Sequence, residues 1–513
     1  MMRDSIPTFC GESVLVAEAT RDWISGADYC KVIREPSSFH TMSFQRTIAS
    51  LLILSVHPVF AEAPSTSIAF DADIVTGFLQ DHCVKCHGPD KQKGKLRLDT
   101  LSLEIGNSGQ VQPWQDVYAA LNDGEMPPED EPQPATEEEQ PVLGHLKSTL
   151  KLATARFGPG HQYQSGDIEI AAASADEPKV EAFNKTTILA AAKYLDDGAL
   201  AWKRERSCLA CHTTGTYMIE RPGLTPYLGK PNDEILRAYL NGGGKAPAAK
   251  KEGYPNGYKI IWNALGSAQV DKHVNGTTSE NTRRALRSMF MQQREDGTWN
   301  HYSGVREIPH ITTDFDLAVR AACAAAAAPG WLEELEDKEL STRVERMKTT
   351  LRDHKPRNDY ERALKLQLAN VMPDAVSAEH REEAVATLRR KQQADGGWST
   401  RGMSAIDNWA DWHPQKDRRN LEMLRAESAA EQSASDPYMT GFAIVLLRES
   451  GVPKTDPQII RGIDWLKTNQ RESGRWWMKS MYKETYHFST YMGTAQALKA
   501  LALCGELEET KAP

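Results

Sequence analysis

The sequence predicts a mainly α protein: a small all-α domain followed by a large helical one. Three observations carry this. Amphipathic or wholly apolar helical runs recur, as in "AACAAAAAP", "ERALKLQLANVM", "HREEAVATLRRKQQ" and "MGTAQALKALALCG". Segments with strand-type alternation are scarce. A Q-x-x-x-G-x-W spacing occurs three times in the second half, each time after an amphipathic helix.

Totals set the outer bounds. A chain of 513 residues has room for two or three domains with sizeable cores. Its 40% hydrophobic and 26% charged content is that of a globular protein. A net charge of −9 argues against a broad nucleic-acid-binding surface.

Residues 1–41 show no clear periodicity and are expected to be a non-native N-terminal extension. From Met42 the stretch "MSFQRTIASLLILSVHPVFAEAPS" has one arginine, Arg46, an apolar run from Ile48 to Val56 and small residues around Ala61. That is the anatomy of a signal peptide over residues 42–61, with a run too short to span a bilayer. No long apolar segment follows, so the expectation is a periplasmic or secreted protein with no integral membrane segment after signal removal. Cysteine use agrees. Of eight cysteines, Cys10 and Cys30 precede Met42, four form two C-x-x-C-H motifs, and Cys323 and Cys504 read as small core residues.

The C-x-x-C-H motifs are Cys83-Cys86-His87 and Cys208-Cys211-His212. Two cysteines three apart lie on one face of a helical turn, where their sulfurs can bond the two vinyl groups of one haem; the adjoining histidine then reaches the iron. Two motifs imply two covalently attached haem c groups. The rivals are a redox dithiol and half of a zinc site; a zinc site needs further clustered Cys or His, and neither motif has them nearby. Met126, in "NDGEMPPEDEPQP", is the candidate sixth ligand of the first iron, because the prolines impose a stiff non-helical loop.

"CVKCHGPDKQKGKLRLDT" followed by "DGEMPPEDEPQPATEEEQ" resembles the short cytochrome c domain of planctomycete-type bacteria, over about residues 71–152. The resemblance implies Cys83 and Cys86 as attachment sites, with His87 and Met126 as axial ligands. The basic run Lys91, Lys93, Lys95 and Arg97 can steer an acidic redox partner protein or simply be a solvated loop.

The second haem has no obvious sixth ligand. Met218 follows His212 too closely: ligands on opposite haem faces stand on the order of 12 Å apart, which six residues at about 3.5 Å each barely bridge around the porphyrin edge. His273, His301 and His310 are better placed to come from another helix or loop. An open sixth position is the alternative, and it permits catalysis.

Residues 153–180 read as a linker rich in Gly, Pro, Ser and Ala. Beyond it stand the three repeats: Gln293-Gly297-Trp299, Gln392-Gly396-Trp398 and Gln470-Gly474-Trp476. Each is expected to end a helix with a left-handed glycine and a tryptophan packed beneath the turn. The three copies resemble the QW repeats of squalene-hopene cyclases and the related α/α-toroids of the terpenoid cyclase and prenyltransferase superfamily, over roughly residues 181–506. That resemblance implies inner and outer helices around a central cavity. Those cyclases use a D-x-D-D acid. Here Asp314 and Asp316 match the first and third aspartates as weak catalytic candidates, but Leu317 replaces the fourth. Asp314 also reads as an N-cap or first-turn residue.

Three functional readings follow. The first is an exported di-haem cytochrome whose second haem sits at a toroid cavity, with an oxidoreductase role on a small organic substrate. The second is a non-enzymatic electron-transfer and docking protein with both irons six-coordinate. The third, a terpenoid-modifying enzyme, is disfavoured by the incomplete D-x-D-D and by the haem motif within the toroid.

Overall fold

A computed structural model describes residues 67–509, except 94–95, 123–125, 129–130, 159, 172, 207–210, 244–256, 301–312, 410–420, 422–423, 427 and 480–486. The expected extension (1–41) and signal segment (42–61) lie outside the described residues. Two separate apolar cores divide what remains, one formed by residues from Phe70 to Ala153 and one by residues from Ile168 to Leu507.

The small domain is three helices, α1 (Ala72–His82), α2 (Ser108–Asn122) and α3 (Thr136–Phe157), with a short antiparallel pair, β1 (Ile68–Ala69) and β2 (Glu104–Ile105). Asp71 caps α1 by accepting the Asp73 N–H. Glu137, Glu138 and Glu139 fill the first turn of α3, where the helix dipole favours negative charge. Both α1 and α2 pack on α3, burying Val75, Phe78, Trp114, Leu121, Val142 and Leu146. Helix α3 runs past residue 152 to Phe157 and stops at Gly158, whose φ is 82°.

The stretch expected as a linker is partly folded. An antiparallel hairpin, β3 (His161–Ser165) and β4 (Ile168–Ala171), sends Ile168 and Ile170 into the large core. The segment after it is fastened to the third repeat turn: Arg475 Nε donates to Glu177 at 2.7 Å, Arg475 Nη1 to the Ala171 carbonyl at 2.7 Å, and Arg471 Nη1 to the Glu177 carbonyl at 2.6 Å. These partners are far away in sequence, so local composition gave no sign of them.

The large domain is a closed double ring. In chain order its elements are α4 (Lys185–Arg206), α5 (Thr216–Glu220), the short α6 (Thr225–Leu228), α7 (Asp233–Gly243), α8 (Gly257–Val270), α9 (Glu280–Met291), α10 (Asp314–Ala327), α11 (Lys338–Asp353), α12 (Asp359–Val371), α13 (Ala378–Arg390), the short α14 (Ala429–Ser433), α15 (Pro437–Glu449), α16 (Pro457–Asn469) and α17 (His487–Leu503). Helix α5 packs on α8, α8 on α10, α10 on α12, α12 on α15, α15 on α17, and α17 back on α5. These six inner helices alternate along the chain with six outer ones, α4, α7, α9, α11, α13 and α16, among the described residues. This is an α/α-toroid.

Sequence pattern decides which helix goes where. Outer helices are one-sided: α9 buries Thr282, Ala285, Leu286, Met289 and Phe290, and α16 buries Ile459, Gly462, Ile463 and Leu466. Inner helices have no wet face. All of Pro437–Leu447 is buried in α15, and all of Phe315–Ala325 in α10 except the partly buried Arg320.

The three repeats are one turn built three times, each leading from an outer helix toward the next inner one. Gln293 Nε2 donates to the Gly297 carbonyl and to Arg343 on α11, at 3.2 and 3.1 Å. Gln392 does the same to Gly396 and to Gln458 on α16, both at 2.8 Å. Gln470 reaches Gly474 and Thr187 on α4, at 2.8 and 2.9 Å. Each tryptophan donates its indole N–H to a carbonyl of the preceding helix: Met289, Leu388 and Leu466. The glycines have φ of 83°, 94° and 90°. A methyl group at Gly474 would stand 2.3 Å from the Ala191 nitrogen, so both conformation and space demand glycine there.

The turn from α11 to α12 lacks the motif and is held by a buried carboxylate instead. Glu361 accepts from His354 Nε2 at 2.9 Å, from the Arg357 N–H at 2.7 Å and from Arg357 Nε at 3.1 Å. Burial pushes its pKa up, but the hydrogen bonds and charges of His354 and Arg357 outweigh that, and the net shift is downward from 4.5.

Two outcomes follow. Gln470→Leu leaves the buried Gly474 carbonyl and the part-buried Thr187 carbonyl without their donor and should destabilise the protein by roughly 2–4 kcal/mol, read by chemical denaturation. Glu361 stabilises the fold above its unfolded pKa, and that stability is lost as pH falls through its lower folded value. Glu361→Gln should therefore be less stable at neutral pH, with a shallower loss of melting temperature on acidification below about pH 4.5.

Candidate functional site

In the small domain, helix α1 ends at Cys83, whose N–H bonds the Leu79 carbonyl. The chain then wraps into a tight turn in which the N–H groups of Cys86 and His87 both donate to the Cys83 carbonyl, at 3.1 and 3.0 Å. Cys83 and Cys86 are free thiols on this turn. Burial pushes the Cys83 thiol up to about 11, so it is held protonated. Gly88 is required next, since a methyl there would stand 2.4 Å from the Val84 carbonyl oxygen.

The Met126 loop is brought to this turn by polar contacts. Lys85, between the two cysteines, donates to Glu131 at 2.8 Å. One side-chain amide, Gln133 Nε2, donates to the carbonyls of Pro127, Pro128 and Glu131, at 3.2, 2.9 and 3.0 Å. Pro127 is buried, yet Met126 is 37% exposed and makes no part of the apolar core. His87 Nδ1 is buried with no hydrogen-bond partner among the described residues. Two thiols on one turn, an adjoining imidazole and a thioether kept out of the core fit the requirements of haem c.

The second motif lies where outer helix α4 gives way to inner helix α5. Cys208 lies outside the described residues. Of Cys211 and His212 only the backbone is described, as the start of a π-helical turn, Cys211–Gly215, that runs into α5. Such turns recur at functional positions. The chain after it is locked: Tyr217 donates to Asp196 at 2.6 Å, and the buried Arg221 binds Asp196 and the carbonyls of Leu228 and Gly229. Met218 is fully buried against α8, a core residue.

His301 and His310 lie outside the described residues, whereas His273 is described. It occupies a second π-helical turn, Asp271–Asn275, and its ring sits over Gly223, with Nε2 3.7 Å from where a methyl on that glycine would be. Gly223 is eleven residues beyond His212 along a mostly helical path, an offset of roughly 16 Å. The structure therefore sets His273 at the opposite end of the ring from His212.

Asp314 and Asp316 fall in the first turn of α10, which Thr313 caps. Asp314 pairs with Arg294 at 3.3 Å. Asp316 is fully buried and accepts from Arg320 Nε at 2.9 Å, and that guanidinium lies 4.4 Å from the Trp262 ring centroid. All six inner helices send polar or aromatic groups to the ring interior: besides these, Tyr360 and Tyr438 share a hydrogen bond at 3.3 Å, and Glu220 binds Gln496 and Lys499 at 2.8 and 3.0 Å. The signal for them in the sequence is a single charge in an apolar helix, Arg320 in "AVRAACAAAA" and Lys499 in "ALKALAL".

Residues 83–130 match the family described as Planctomycete cytochrome C. No curated protein matches the chain in sequence. Among solved structures, the type II terpene cyclase MstE from Scytonema is similar at 13% identity, covering 57% of this chain and 88% of that one, with a TM-score of 0.33. A variant of MstE in complex with geranylgeranyl dihydroxybenzoate aligns at 13% identity over 63% of this chain and 100% of that one, with a TM-score of 0.36. The ring is established by its own helix contacts, independently of these scores. No helix among the described residues is long and apolar enough to cross a membrane.

Gln133→Ala removes all three amide contacts to the Met126 loop. The expected outcome is roughly tenfold faster hydrogen exchange at the Met126 and Glu131 amides, with exchange in α1 and α3 unchanged.

Proposed function

Given a planctomycete-type cytochrome c segment at residues 83–130, we propose that the chain is an exported di-haem c-type cytochrome that exchanges electrons with a redox partner protein. The observation that carries this is the polar clamp, Lys85–Glu131 with Gln133, which sets the Met126 loop against the Cys83–His87 turn. Haem c, when attached, supplies a one-electron Fe(III)/Fe(II) couple.

In this reading Cys83 and Cys86 anchor the first haem, and His87 and Met126 are its axial ligands. A soft thioether favours the reduced iron, which suits electron transfer more than oxygen chemistry. Lys85, Lys91 and Lys93 all act on Glu131 and give this face a positive bias that orients an acidic partner. Cys208, Cys211 and His212 hold the second haem at the toroid. For its sixth ligand His310 is preferred to His273, because it stands just before inner helix α10, which begins at the same end of the ring as the Cys211 turn. An oxidoreductase role on an organic substrate belongs to this reading if that position is open. Cyclase-type protonation by Asp316 is disfavoured by its pairing with Arg320.

The test is a haem count. Pyridine haemochrome analysis should find two haems per chain, falling to one in Cys83→Ser/Cys86→Ser and to one in Cys208→Ser/Cys211→Ser. A single haem in the unmodified protein overturns the second site, and none overturns the whole reading. Met126→Ala should lower the potential of the first haem and open its iron to carbon monoxide. Binding of carbon monoxide by the unmodified protein would assign catalysis to the second iron, and its absence would assign electron transfer alone.

A further inference from the structure

Inside the ring, α10, α12 and α15 bring together hydrogen-bond donors that have no acceptor. Arg320 uses only its Nε–H, on Asp316 at 2.9 Å, and its two Nη groups make no hydrogen bond among the described residues. A guanidinium carries five N–H donors, so four remain. The hydroxyls of Tyr360 and Tyr438 stand 3.3 Å apart, so one donates to the other and the second O–H has no acceptor among the described residues. Trp409 is fully buried with its ring centroid 5.1 Å from that of Tyr360, and its indole N–H also has no partner there. Arg320 is near enough to both phenols for their charges to act on it. Burial pushes both phenols up, so each keeps its proton and stays a donor.

The walls around these donors are flat and apolar. Trp262 covers one face of the guanidinium, and the Phe442 ring centroid lies 6.3 Å from that of Tyr360 and 5.7 Å from that of Tyr438. The Arg320 side chain is nonetheless 13% exposed. With outer helices behind α10 and inner helices on both flanks, that exposure is toward a void within the ring. Cys323, one turn beyond Arg320, feels the charges of both Arg320 and Lys499. On α17 the Lys499 side chain is 35% exposed and Leu503, one turn further, 40%. The void therefore opens toward the C-terminal ends of the inner helices.

We propose that the ring interior beside Arg320 binds a quinone, a neutral planar ring whose carbonyl oxygen accepts from these donors. Charge selects the neutral ligand. Asp316 already balances Arg320, so a carboxylate placed here would be a second anion on one cation and would lose its hydration without a counter-charge of its own. What the site offers is donors without surplus charge, which match an uncharged oxygen acceptor. The rings of Trp262 and Phe442 offer a flat ligand stacked or edge-on contacts. A few convergent polar groups in a mainly apolar wall are the usual make-up of a small-molecule site. Binding there requires neither haem.

The experiment is equilibrium dialysis of the full protein against tetramethyl-1,4-benzoquinone, whose ring carbons are all substituted and so resist addition of cysteine thiols. Tetramethylbenzoate is the charged analogue, and tetramethylbenzene is the same ring without oxygen. The quinone should bind at least tenfold more tightly than either. Tyr360→Phe/Tyr438→Phe keeps both rings and removes the O–H donors, and should weaken the quinone about tenfold. Asp316→Asn/Arg320→Met removes the guanidinium together with its counter-charge and should have an effect of about the same size. Tetramethylbenzene should bind the variants and the unmodified protein alike, which separates lost donors from lost space. Circular dichroism checks that each variant is folded, and either one alone suffices. The quinone site is overturned if the quinone does not bind, if the benzoate or the plain ring binds as tightly, or if a folded variant binds the quinone unchanged. Free ligand is the readout, so any of these results leaves the haem count untouched.

Discussion

A helix without a solvent face can exist only if helices surround it, and the large domain is organised by that constraint. Helices α10 and α15 bury nearly every side chain, so each needs inner neighbours on two sides and an outer helix behind. A closed ring meets the demand for all six at once. Its interior then becomes a place where a charge must find a partner. Arg320 has Asp316 and the face of Trp262, and Lys499 has Glu220.

The small domain follows a different rule at the Met126 loop. Prolines deny the loop a helix or a ladder, so its shape comes from side-chain donors reaching backbone acceptors. One amide, Gln133, serves three carbonyls. This arrangement lets Met126 stand away from the core while its neighbour Pro127 is buried, a division of labour that apolar packing alone would not produce.

Much of this was legible in the sequence because its signals are local. The Q-x-x-x-G-x-W spacing foretold a left-handed glycine and a tucked tryptophan, and all three turns have both. The C-x-x-C-H turn at Cys83 and the non-helical Met126 segment were equally readable. What could not be read depends on partners distant in the chain. Glycine- and alanine-rich composition suggested a loose linker at 153–180, but the partners that fold it are Arg471 and Arg475. The donors around Arg320 come from several elements, and no spacing rule joins them. The histidine candidates were equivalent in sequence; only the place of the His273 ring over Gly223, eleven residues beyond His212, separates it from the second motif.

The ring is shut by its latest-made parts. Gln470 bonds Thr187, Arg475 bonds Glu177, and the hydroxyl of Tyr491 bonds the Leu195 carbonyl. Each contact spans most of the domain, so each carries a large loop-closure cost that must be met before it contributes. During synthesis the small domain has all its own core residues by Ala153, whereas a nascent ring remains an open arc, with inner helices wet on one flank, until the last outer and inner helices emerge. The chain thus ripens in a fixed order, and its window of greatest risk for misassembly comes late, after the small domain is complete.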